Sequence, residues 1–239
     1  MIFDLGGTLV HWPDWEDGAA LKWAAAYEAL AGSSTRTLPT RDRFVAAMRE
    51  AEKAHWERVD REHWSGPPTA LVGDGFRRMG LDAVNGDLLV AMDGYARAVA
   101  GWSAVYPDAR ATLDLLRERG YRLGLLSNTW WAAEWHNADL AAHGLGDRFD
   151  AVVYTSDLPH SKPHPAVFRE VASRLDVDVR SCVMIGDRQI DDVSGAKSVG
   201  MRGIWRRNDS GFPASDVAPD AIVDALAELP PLLRAWGGA

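Results

Sequence analysis

The 239-residue sequence predicts an α/β protein that has a parallel-sheet core with an inserted all-helical cap domain. From Tyr106 onward, stretches with helical periodicity alternate with short apolar runs, which is typical of a parallel sheet covered by helices. Between the first apolar run and Tyr106 the pattern is helical, with no convincing strand. We therefore expect a core of residues 1–10 and 103–239, and a helical cap of residues 11–102 that covers the core as a lid.

The first strand is short, because only Met1, Ile2 and Phe3 precede an acid at Asp4. Typical strands contain about five to six residues. We expect either that a strand of this length is sufficient or that the recorded start lies several codons late. Helices follow near residues 15–30, 40–62, 69–79 and 86–102, and the segments GSST and SGPP interrupt them.

The second part of the chain predicts alternating strands and helices. Strands are expected at YRLGLLS, AVVYT, SCVMIGD and MRGIW, and the final segment AIVDALAEL predicts a strand and a helix. Helices are expected over residues 108–119, 135–143 and 165–175, and over DDVSGAKSVG. Gly120 stops the first of these helices, and Pro165 opens the third at a position where proline is tolerated.

Composition limits the partners of the protein. The hydrophobic fraction of 47% is sufficient for a full core, and the formal net charge of -8 opposes general affinity for nucleic acid or anionic membranes. Small molecules are therefore the expected partners. The single cysteine, Cys182, excludes an internal disulfide, and neither a signal-peptide pattern nor a long apolar span is present. We expect a cytoplasmic monomer or homodimer.

Polar side chains follow several of the predicted strands at the point where each strand ends. They are Asp4, the pair Ser127 and Asn128, Lys162 in the loop after AVVYT, and Asp187 with Asp191 and Asp192. The carboxyl ends of parallel strands lie along one edge of the sheet, where ligands bind. We therefore expect these side chains to converge on one site.

Four segments occur in an order that resembles the haloacid dehalogenase superfamily, chiefly its phosphatase-like members with a helical cap after the first motif. The segments are FDLGGTL, LLSN, SKPHPAVF and MIGDRQIDDVSGAKSVGM. The resemblance covers residues 1–10 and 105 to about 229, whereas the cap resembles the family only in position and helicity. It implies a three-layer Rossmann-like core and a Mg²⁺-dependent hydrolase of phosphoric monoesters, acting on a small phosphorylated metabolite.

The resemblance implies a nucleophile and a metal site. Asp4 is the expected nucleophile, which forms a covalent aspartyl intermediate. The expected metal ligands are the Asp4 carboxylate, the backbone carbonyl of Gly6 and Asp187, with Asp192 supporting a water ligand. Asp191 is expected to cap the following helix instead.

The resemblance also implies donors for the phosphoryl group. Phosphoryl oxygens require hydrogen-bond donors and positive charge. The expected donors are the Ser127 hydroxyl, the Asn128 backbone amide, the Lys162 ammonium and an amide of the Gly7 turn.

Gly6 departs from the family pattern, because phosphatases of this family usually carry a second aspartate two residues after the nucleophile. That aspartate protonates the departing alkoxide and later activates water. Loss of positioned acid–base help costs about 10²–10⁴-fold in rate with a poor leaving group. One possibility is that a surrogate acid or base replaces this aspartate, and His11 is the nearest candidate. The other is that the substrate has a good leaving group, as in an acyl phosphate, an aryl phosphate or a pyrophosphate.

Other classes of function stay open. Dehalogenases and phosphonatases of the superfamily also lack aspartate at this second position, and halide displacement needs neither a proton nor a metal. A phosphonatase needs a cap lysine for a Schiff base, and Lys22 and Lys53 are the cap lysines of this chain. A protein that binds a phosphorylated ligand or a partner and turns over slowly or never is the alternative from a non-enzymatic class.

Tryptophan is abundant, with eleven residues. Trp130, Trp131 and Trp135 come shortly after Ser127 and Asn128. Tryptophan most often packs in a core or an interface, and we expect packing for each of the three. The alternative is that at least one faces the entrance and stacks on a planar substrate.

Overall fold

A computed structural model describes residues 1–13, 15–209 and 211–237. The strands are β1 Ile2–Phe3, β2 Val10–His11, β3 Ala104–Val105, β4 Gly124–Ser127, β5 Ala151–Tyr154, β6 Val183–Gly186, β7 Arg202–Arg206 and β8 Ala221–Val223. The α-helices are α1 Trp15–Ser33, α2 Arg41–Glu62, α3 Pro68–Arg78, α4 Asn85–Val99, α5 Ala109–Glu118, α6 Ala133–Ala142, α7 Pro165–Arg174, α8 Gly195–Ser198 and α9 Leu229–Ala235. None of the helices described is both long enough and apolar enough to cross a membrane.

Six of the described strands form one parallel sheet in the order β5-β4-β1-β6-β7-β8. The two-residue strand β1 lies at its centre, where Ile2 pairs with Gly124 of β4 and with Met184 of β6. This central position places the residue after β1 at the middle of the carboxyl edge. The α/β fold class predicted from the sequence is confirmed.

Helices cover both faces of the sheet and follow the apolar periodicity of the sequence. On one face, α5 buries Leu113 and Leu116 in a cluster that also contains Leu229 of α9. On the other face, α7 buries Phe168 and Val171 against β4 and β6. Pro165 occupies the first turn of α7, as the sequence predicts.

The segment DDVSGAKSVG differs from the single short helix that was predicted. A π-helical turn spans Gln189–Ser194, and only then does α8 begin at Gly195. The Asp192 carboxylate accepts a hydrogen bond from the Arg188 backbone N–H, so the wide turn folds this carboxylate back towards β6. A Cβ at Gly186, the last residue of β6, would overlap the Asp192 side chain, which explains the glycine there.

Helices α1 to α4 lie between β2 and β3 and belong to residues 11–102, which we call the helical segment. Strands β2 and β3 pair antiparallel, with His11 opposite Ala104. The helical segment has its own apolar cluster, which includes Trp23, Phe44, Phe76 and Tyr95. Trp130 and Trp131 from the loop after β4 join this cluster and are 1% and 3% exposed, so both serve in packing.

A buried carboxylate links the helical segment to that loop. Glu52 of α2 accepts hydrogen bonds from Nε1 of Trp23, at 3.0 Å, and from Nε1 of Trp130, at 3.3 Å. Burial raises the pKa of Glu52 above its usual range, and these bonds oppose the shift. Lys22 of α1 is also buried, and burial lowers its pKa to about 8 against the opposing charge of Glu52.

A second set of bonds joins the α2–α3 connection to the loop after β5. The Ser65 backbone N–H donates to the Pro159 carbonyl at 3.1 Å, and the Ser65 hydroxyl donates to the Thr155 carbonyl at 2.6 Å. The Ser161 N–H donates to the His63 carbonyl at 2.9 Å. The loop that continues to Lys162 is therefore tied to the helical segment.

Candidate active site

Asp4, Lys162 and Asp192 form a buried ionic triad at the carboxyl edge of the sheet. Asp4 directly follows β1, Lys162 lies in the loop after β5, and Asp192 lies in the π-helical turn after β6. The Lys162 ammonium lies 2.6 Å from an Asp4 carboxylate oxygen and 2.6 Å from an Asp192 oxygen. All three side chains are almost completely excluded from water. Strand ends that the sequence analysis placed on one edge therefore do converge.

Asp187 completes the acidic cluster. It follows β6, and its Oδ2 accepts a hydrogen bond from Asn208 Nδ2 at 3.0 Å. Its Oδ1 is buried and has no hydrogen-bond partner among the residues that the structure describes. Asp4, Asp187 and Asp192 each offer a carboxylate oxygen, and these oxygens all lie within 4.8 Å of one another.

The cluster carries an excess of negative charge. Four carboxylates, including Asp191, surround the two cations Lys162 and Arg188. Burial raises the pKa of Asp4 to about 7, with the Lys162 charge opposing the shift and the charges of Asp192 and Asp187 adding to it. Burial alone would lower the pKa of Lys162, but Asp192 and Asp4 together hold it above its usual range.

This arrangement fits a divalent cation such as Mg²⁺. The donors are all oxygens, the set has excess negative charge, and Asp187 Oδ1 lacks a partner among the described residues. Both Asp192 oxygens already accept hydrogen bonds, one from Lys162 and one from the Arg188 N–H. Asp4 and Asp187 are therefore the carboxylates best placed for direct contact, and Asp192 is better placed to orient its neighbours.

Asn128 fixes the position of Lys162 through its side chain. Its Oδ1 accepts a hydrogen bond from the Lys162 N–H at 2.8 Å, and its Nδ2 donates to the Lys162 carbonyl at 3.0 Å. This two-point contact joins the end of β4 to the loop after β5. Ser127, the last residue of β4, is 5% exposed and lies at the same edge.

Gly7 has a different role from the predicted one. Its N–H donates to the Val10 carbonyl at 2.8 Å, so the amide assigned to the phosphoryl group is already engaged within the turn. Gly7 adopts a φ of 76°, and a Cβ there would overlap the Asp187 carboxylate. Its carbonyl accepts hydrogen bonds from Arg206 and Asn208. Glycine at this position thus permits Asp187 to approach the turn.

The ring of Trp12 lies against Gly6. An ideal Cβ at Gly6 would lie 2.9 Å from Cζ3, 3.6 Å from Cη2 and 3.9 Å from Cε3 of Trp12. The indole therefore occupies the space that a side chain at position 6 would need. The sequence showed the missing acid, but not the ring that takes its place.

The comparisons with known proteins identify the family. The family model described as haloacid dehalogenase-like hydrolase matches residues 1–200. The chain belongs to the haloacid dehalogenase-like hydrolase family. Among curated relatives, the glyceraldehyde 3-phosphate phosphatase of Methanopyrus kandleri is 31% identical over 64% of this chain and 70% of its own. The matched share of the relative's own length is 41% for the glyceraldehyde 3-phosphate phosphatase of Pyrococcus abyssi, at 35% identity, and 97% for the phosphoglycolate phosphatase of Cereibacter sphaeroides, at 29% identity.

Solved structures of two kinds resemble this hydrolase. A HAD phosphatase from Thermococcus onnurineus is 28% identical with a TM-score of 0.64, covering 99% of this chain and 97% of the other. A 2-haloacid dehalogenase from Pseudomonas syringae pv. Tomato is 26% identical with a TM-score of 0.68, covering 98% and 97%. The resemblance proposed from the four motifs is confirmed, and the protein is a hydrolase.

His11, the candidate for a surrogate acid or base, packs its ring against an aromatic side chain in this haloacid dehalogenase-like hydrolase. Its ring packs on Tyr106, with a centroid distance of 5.0 Å. Within the described residues, no hydrogen bond joins His11 to Asp4. The Arg206 guanidinium lies 3.9 Å from the Tyr106 ring centroid, so Tyr106 contacts both His11 and Arg206.

The lysines of the helical segment have contrasting environments. Lys53 is exposed and lies 3.8 Å from Glu57 one helical turn away, which is typical of a solvated face. Lys22 is 2% exposed, and its ammonium lies 4.2 Å from the Trp102 ring centroid. Its burial was not predicted from the sequence.

Asn208 and Arg206 are site residues that the sequence analysis missed. Arg206 ends β7 and Asn208 lies two residues beyond it, at the same edge of the sheet as Asp187. Both bind the Gly7 carbonyl, and Asn208 also binds Asp187. The strand-end reasoning that found Asp4 and Asp187 would have found both residues if it had been applied to the strand MRGIW.

Proposed function

We propose that this hydrolase is a Mg²⁺-dependent phosphatase that acts on a small phosphorylated metabolite through an aspartyl-phosphate at Asp4. The observation that carries the proposal is the ionic triad beside an Asp187 oxygen for which the described part of the chain offers no hydrogen-bond partner. One Asp4 oxygen is held by Lys162, so the carboxylate is oriented. Phosphatase relatives support the reaction class, and the substrates in their names, glyceraldehyde 3-phosphate and phosphoglycolate, support a small phosphorylated substrate.

The proposed reaction has two displacements. An Asp4 oxygen attacks phosphorus, the bond from phosphorus to the leaving oxygen breaks, and its electron pair stays on the leaving group. Water then attacks phosphorus, and the bond from phosphorus to the Asp4 oxygen breaks with its electron pair restoring the carboxylate. Phosphate departs with the water oxygen and its protons, and the leaving group takes a proton from solvent. The Lys162 ammonium, the Ser127 hydroxyl and the Asn128 backbone N–H stabilise the phosphoryl oxygens. Gly7 has no part in this set, because its N–H is engaged.

The metal assignment follows from the acidic cluster. Asp4, Asp187 and the Gly6 carbonyl would hold Mg²⁺, and Asp192 would support a water ligand. Bound there, the cation would offset the charge of the carboxylates and of the phosphoryl group. The chain's own residues provide the rest of the site: Asn128 keeps Lys162 in place, and Asn208 keeps Asp187 in place.

The helical segment serves as the cap in this proposal. Its contacts with the loop after β4 and with the loop after β5 bring it to the residues that would hold the phosphoryl group. Closure of such a segment excludes water and selects the substrate.

The test uses 4-nitrophenyl phosphate, whose leaving group needs no general acid. We expect turnover that requires Mg²⁺ and that falls by at least about 10³-fold in Asp4→Asn, because the nucleophile is lost. The exposed residue Asp147 offers a matched control, and Asp147→Asn should keep full activity. Full activity in Asp4→Asn would refute the proposal.

A second measurement separates the phosphatase from a dehalogenase. A single turnover in ¹⁸O-water should place the label in phosphate, because water attacks phosphorus. Release of chloride from 2-chloropropionate without Mg²⁺, with label entering the Asp4 carboxylate, would instead assign the dehalogenase reaction. Binding of phosphate without turnover of any ester would assign a ligand-binding protein.

A further inference from the structure

We propose that Trp12 selects the leaving group of the substrate and favours phosphate esters of planar aromatic alcohols. Its indole lies against the Gly6 backbone, two residues after Asp4, in the space that a side chain at position 6 would fill. This inference rests on the proposed function, and its experiments are chosen so that the two can fail separately.

The position of Trp12 follows from the first turn of the site. Asp4 lies in the ionic triad, and Leu5 points away from it into the core under the sheet. Gly6 is the next residue, and the three nearest atoms to its ideal Cβ all belong to the six-membered ring of Trp12. The indole therefore meets the nucleophile loop directly, with only a hydrogen atom between the ring and the Gly6 backbone.

Packing from both parts of the molecule holds the ring. Trp12 is half-buried and packs against the sheet cluster and the cluster of the helical segment. Its ring lies edge-on to Trp131, with centroids 5.7 Å apart and an interplanar angle of 77°. Trp131 is buried and stacks on His136 at 5.1 Å. The Trp12 indole is thus held in place by Trp131, which lies in the loop that follows Ser127 and Asn128.

The chemistry of an indole at this place restricts the substrate. An indole does not protonate a departing oxygen, so the leaving group must depart as a weak base. A phenolate does so, because it takes the electron pair of the broken bond without needing a proton. Its ring also gains contact with the indole, and an aromatic pair contributes about 0.5–1.5 kcal/mol beyond simple burial. An alkyl phosphate has neither advantage, and an acyl phosphate has only the first.

The first experiment compares kcat/KM for phenyl phosphate, acetyl phosphate and propyl phosphate in the full chain with Mg²⁺. We expect the wild type to have its highest kcat/KM with phenyl phosphate. In Trp12→Leu, kcat/KM for phenyl phosphate should fall about tenfold through a higher KM, while kcat/KM for acetyl phosphate stays unchanged. Trp12→Phe should retain most of the preference. Trp236 provides the control, because it is half-buried near the C-terminus with the Arg202 guanidinium over its ring. Trp236→Leu should change kcat/KM for neither substrate.

A double-mutant cycle tests the contact itself. A methyl at position 6 displaces the ring, so Gly6→Ala should lower kcat/KM for phenyl phosphate by a larger factor in the wild-type background than in Trp12→Leu. Gly6→Asp should gain propyl phosphate hydrolysis only when combined with Trp12→Leu. If Trp12→Leu does not fold, Gly6→Ala and Trp12→Phe carry the test, since both retain an apolar residue at position 12.

Binding without turnover gives an independent readout. In Asp4→Asn, calorimetry should show tighter binding of phenylphosphonate than of methylphosphonate. When Trp12→Leu is added to Asp4→Asn, the two phosphonates should bind with equal affinity. Turnover of no phosphate ester by the wild type would overturn the proposed function. Turnover with equal losses on phenyl and acetyl phosphate in Trp12→Leu, or with no loss on either, would overturn only the role of Trp12.

Discussion

Lys162 is a cation held almost without water between two carboxylates. Its side chain is 2% exposed, and Asp4 and Asp192 both lie 2.6 Å from its ammonium. Removing one partner of a buried ion pair is costly, because the remaining charge is left uncompensated. Asp192 therefore stabilises the position of Lys162, and Lys162 stabilises the ionised carboxylate of Asp4, the proposed nucleophile.

Replacement of Lys162 should affect both folding and catalysis. We expect Lys162→Met to lower the free energy of unfolding by about 3–5 kcal/mol. Hydrolysis of 4-nitrophenyl phosphate should fall at least about 10²-fold. Chemical denaturation and steady-state kinetics measure the two effects. Lys197 is the matched control, because it lies 2.9 Å from Asp220 and is 31% exposed.

Lys197→Met should change stability by no more than about 1 kcal/mol, as is usual for exposed pairs. It should leave turnover unchanged. Equal losses of stability in Lys162→Met and Lys197→Met would contradict the role of burial.

His136 is a buried group that should make stability depend on pH. Its ring lies between Trp131 and Tyr154, with centroids 5.1 Å and 4.9 Å away, and its Nε2 lies 2.8 Å from the Thr129 hydroxyl. Burial lowers the pKa of His136 to about 3. The unfolded chain binds this proton near pH 6.5, so below that pH protonation favours the unfolded state.

The contribution of neutral His136 is complete above about pH 6.5 and is lost as the pH falls, at up to about 1.4 kcal/mol per pH unit. His136→Gln lacks this proton site and retains a hydrogen-bonding group for Thr129. We expect the variant to lose less unfolding free energy than the wild type between pH 7 and pH 5 in urea denaturation. Parallel pH profiles for the two proteins would show that His136 is not the source.

The packing of α4 against α1 depends on a glycine. Gly94 of α4 lies against α1, and a Cβ there would be 2.7 Å from the Ala29 Cβ and 2.8 Å from the Ala25 carbonyl. Gly86 lies in the first turn of the same helix with nothing within 4 Å of its ideal Cβ. Alanine would therefore clash with α1 at position 94 but would meet no neighbouring atom at position 86.

We expect Gly94→Ala to lower the free energy of unfolding by about 1–3 kcal/mol, because the two helices must separate. Gly86→Ala should raise it by about 0.4–1 kcal/mol, because alanine restricts the unfolded chain without a clash. Denaturant unfolding of both variants measures the difference. A stabilising Gly94→Ala would show that the helices yield at this contact without cost.

For the helices and strands, local sequence patterns predicted the positions of the longer elements but not the contacts between residues distant in sequence. The four helices near residues 15–30, 40–62, 69–79 and 86–102 appear as α1 to α4 within a few residues at each end. Strands β2 and β3 were not predicted, because two residues are too few to show an alternating pattern. The burial of Lys22 and Glu52 was also missed, because it depends on Trp102 and Trp130, which are distant in sequence.

For the whole molecule, the alternation of helices and apolar runs predicted the parallel sheet and the shared edge of its strands. That edge brings Asp4, Lys162 and Asp187 together, as expected from the strand ends. The position of Trp12 against Gly6 could not be predicted, because it depends on the path of the chain between β2 and α1.

Binding of Mg²⁺ should stabilise the whole fold if Asp4 and Asp187 hold it. At a concentration of 100 times Kd, a ligand specific for the native state adds about 2.7 kcal/mol, which raises Tm by roughly 5–10 °C for a domain of this size. We expect this shift in the wild type and in Asp147→Asn, and its loss in Asp187→Asn. NaCl at equal ionic strength serves as the reference, and an equal shift in Asp187→Asn would contradict the assignment.

The antiparallel pairing of Val10 and His11 with Val105 and Ala104 has an evolutionary consequence. The chain leaves the sheet and returns to it through one narrow ribbon, so the two junctions are neighbours. Because the six described strands of the sheet all lie outside residues 11–102, a different insert can be grafted there while the order of the six strands stays the same. Recognition of new substrates can thus be acquired by exchange of a module, with the carboxylates at the edge of the sheet left in place.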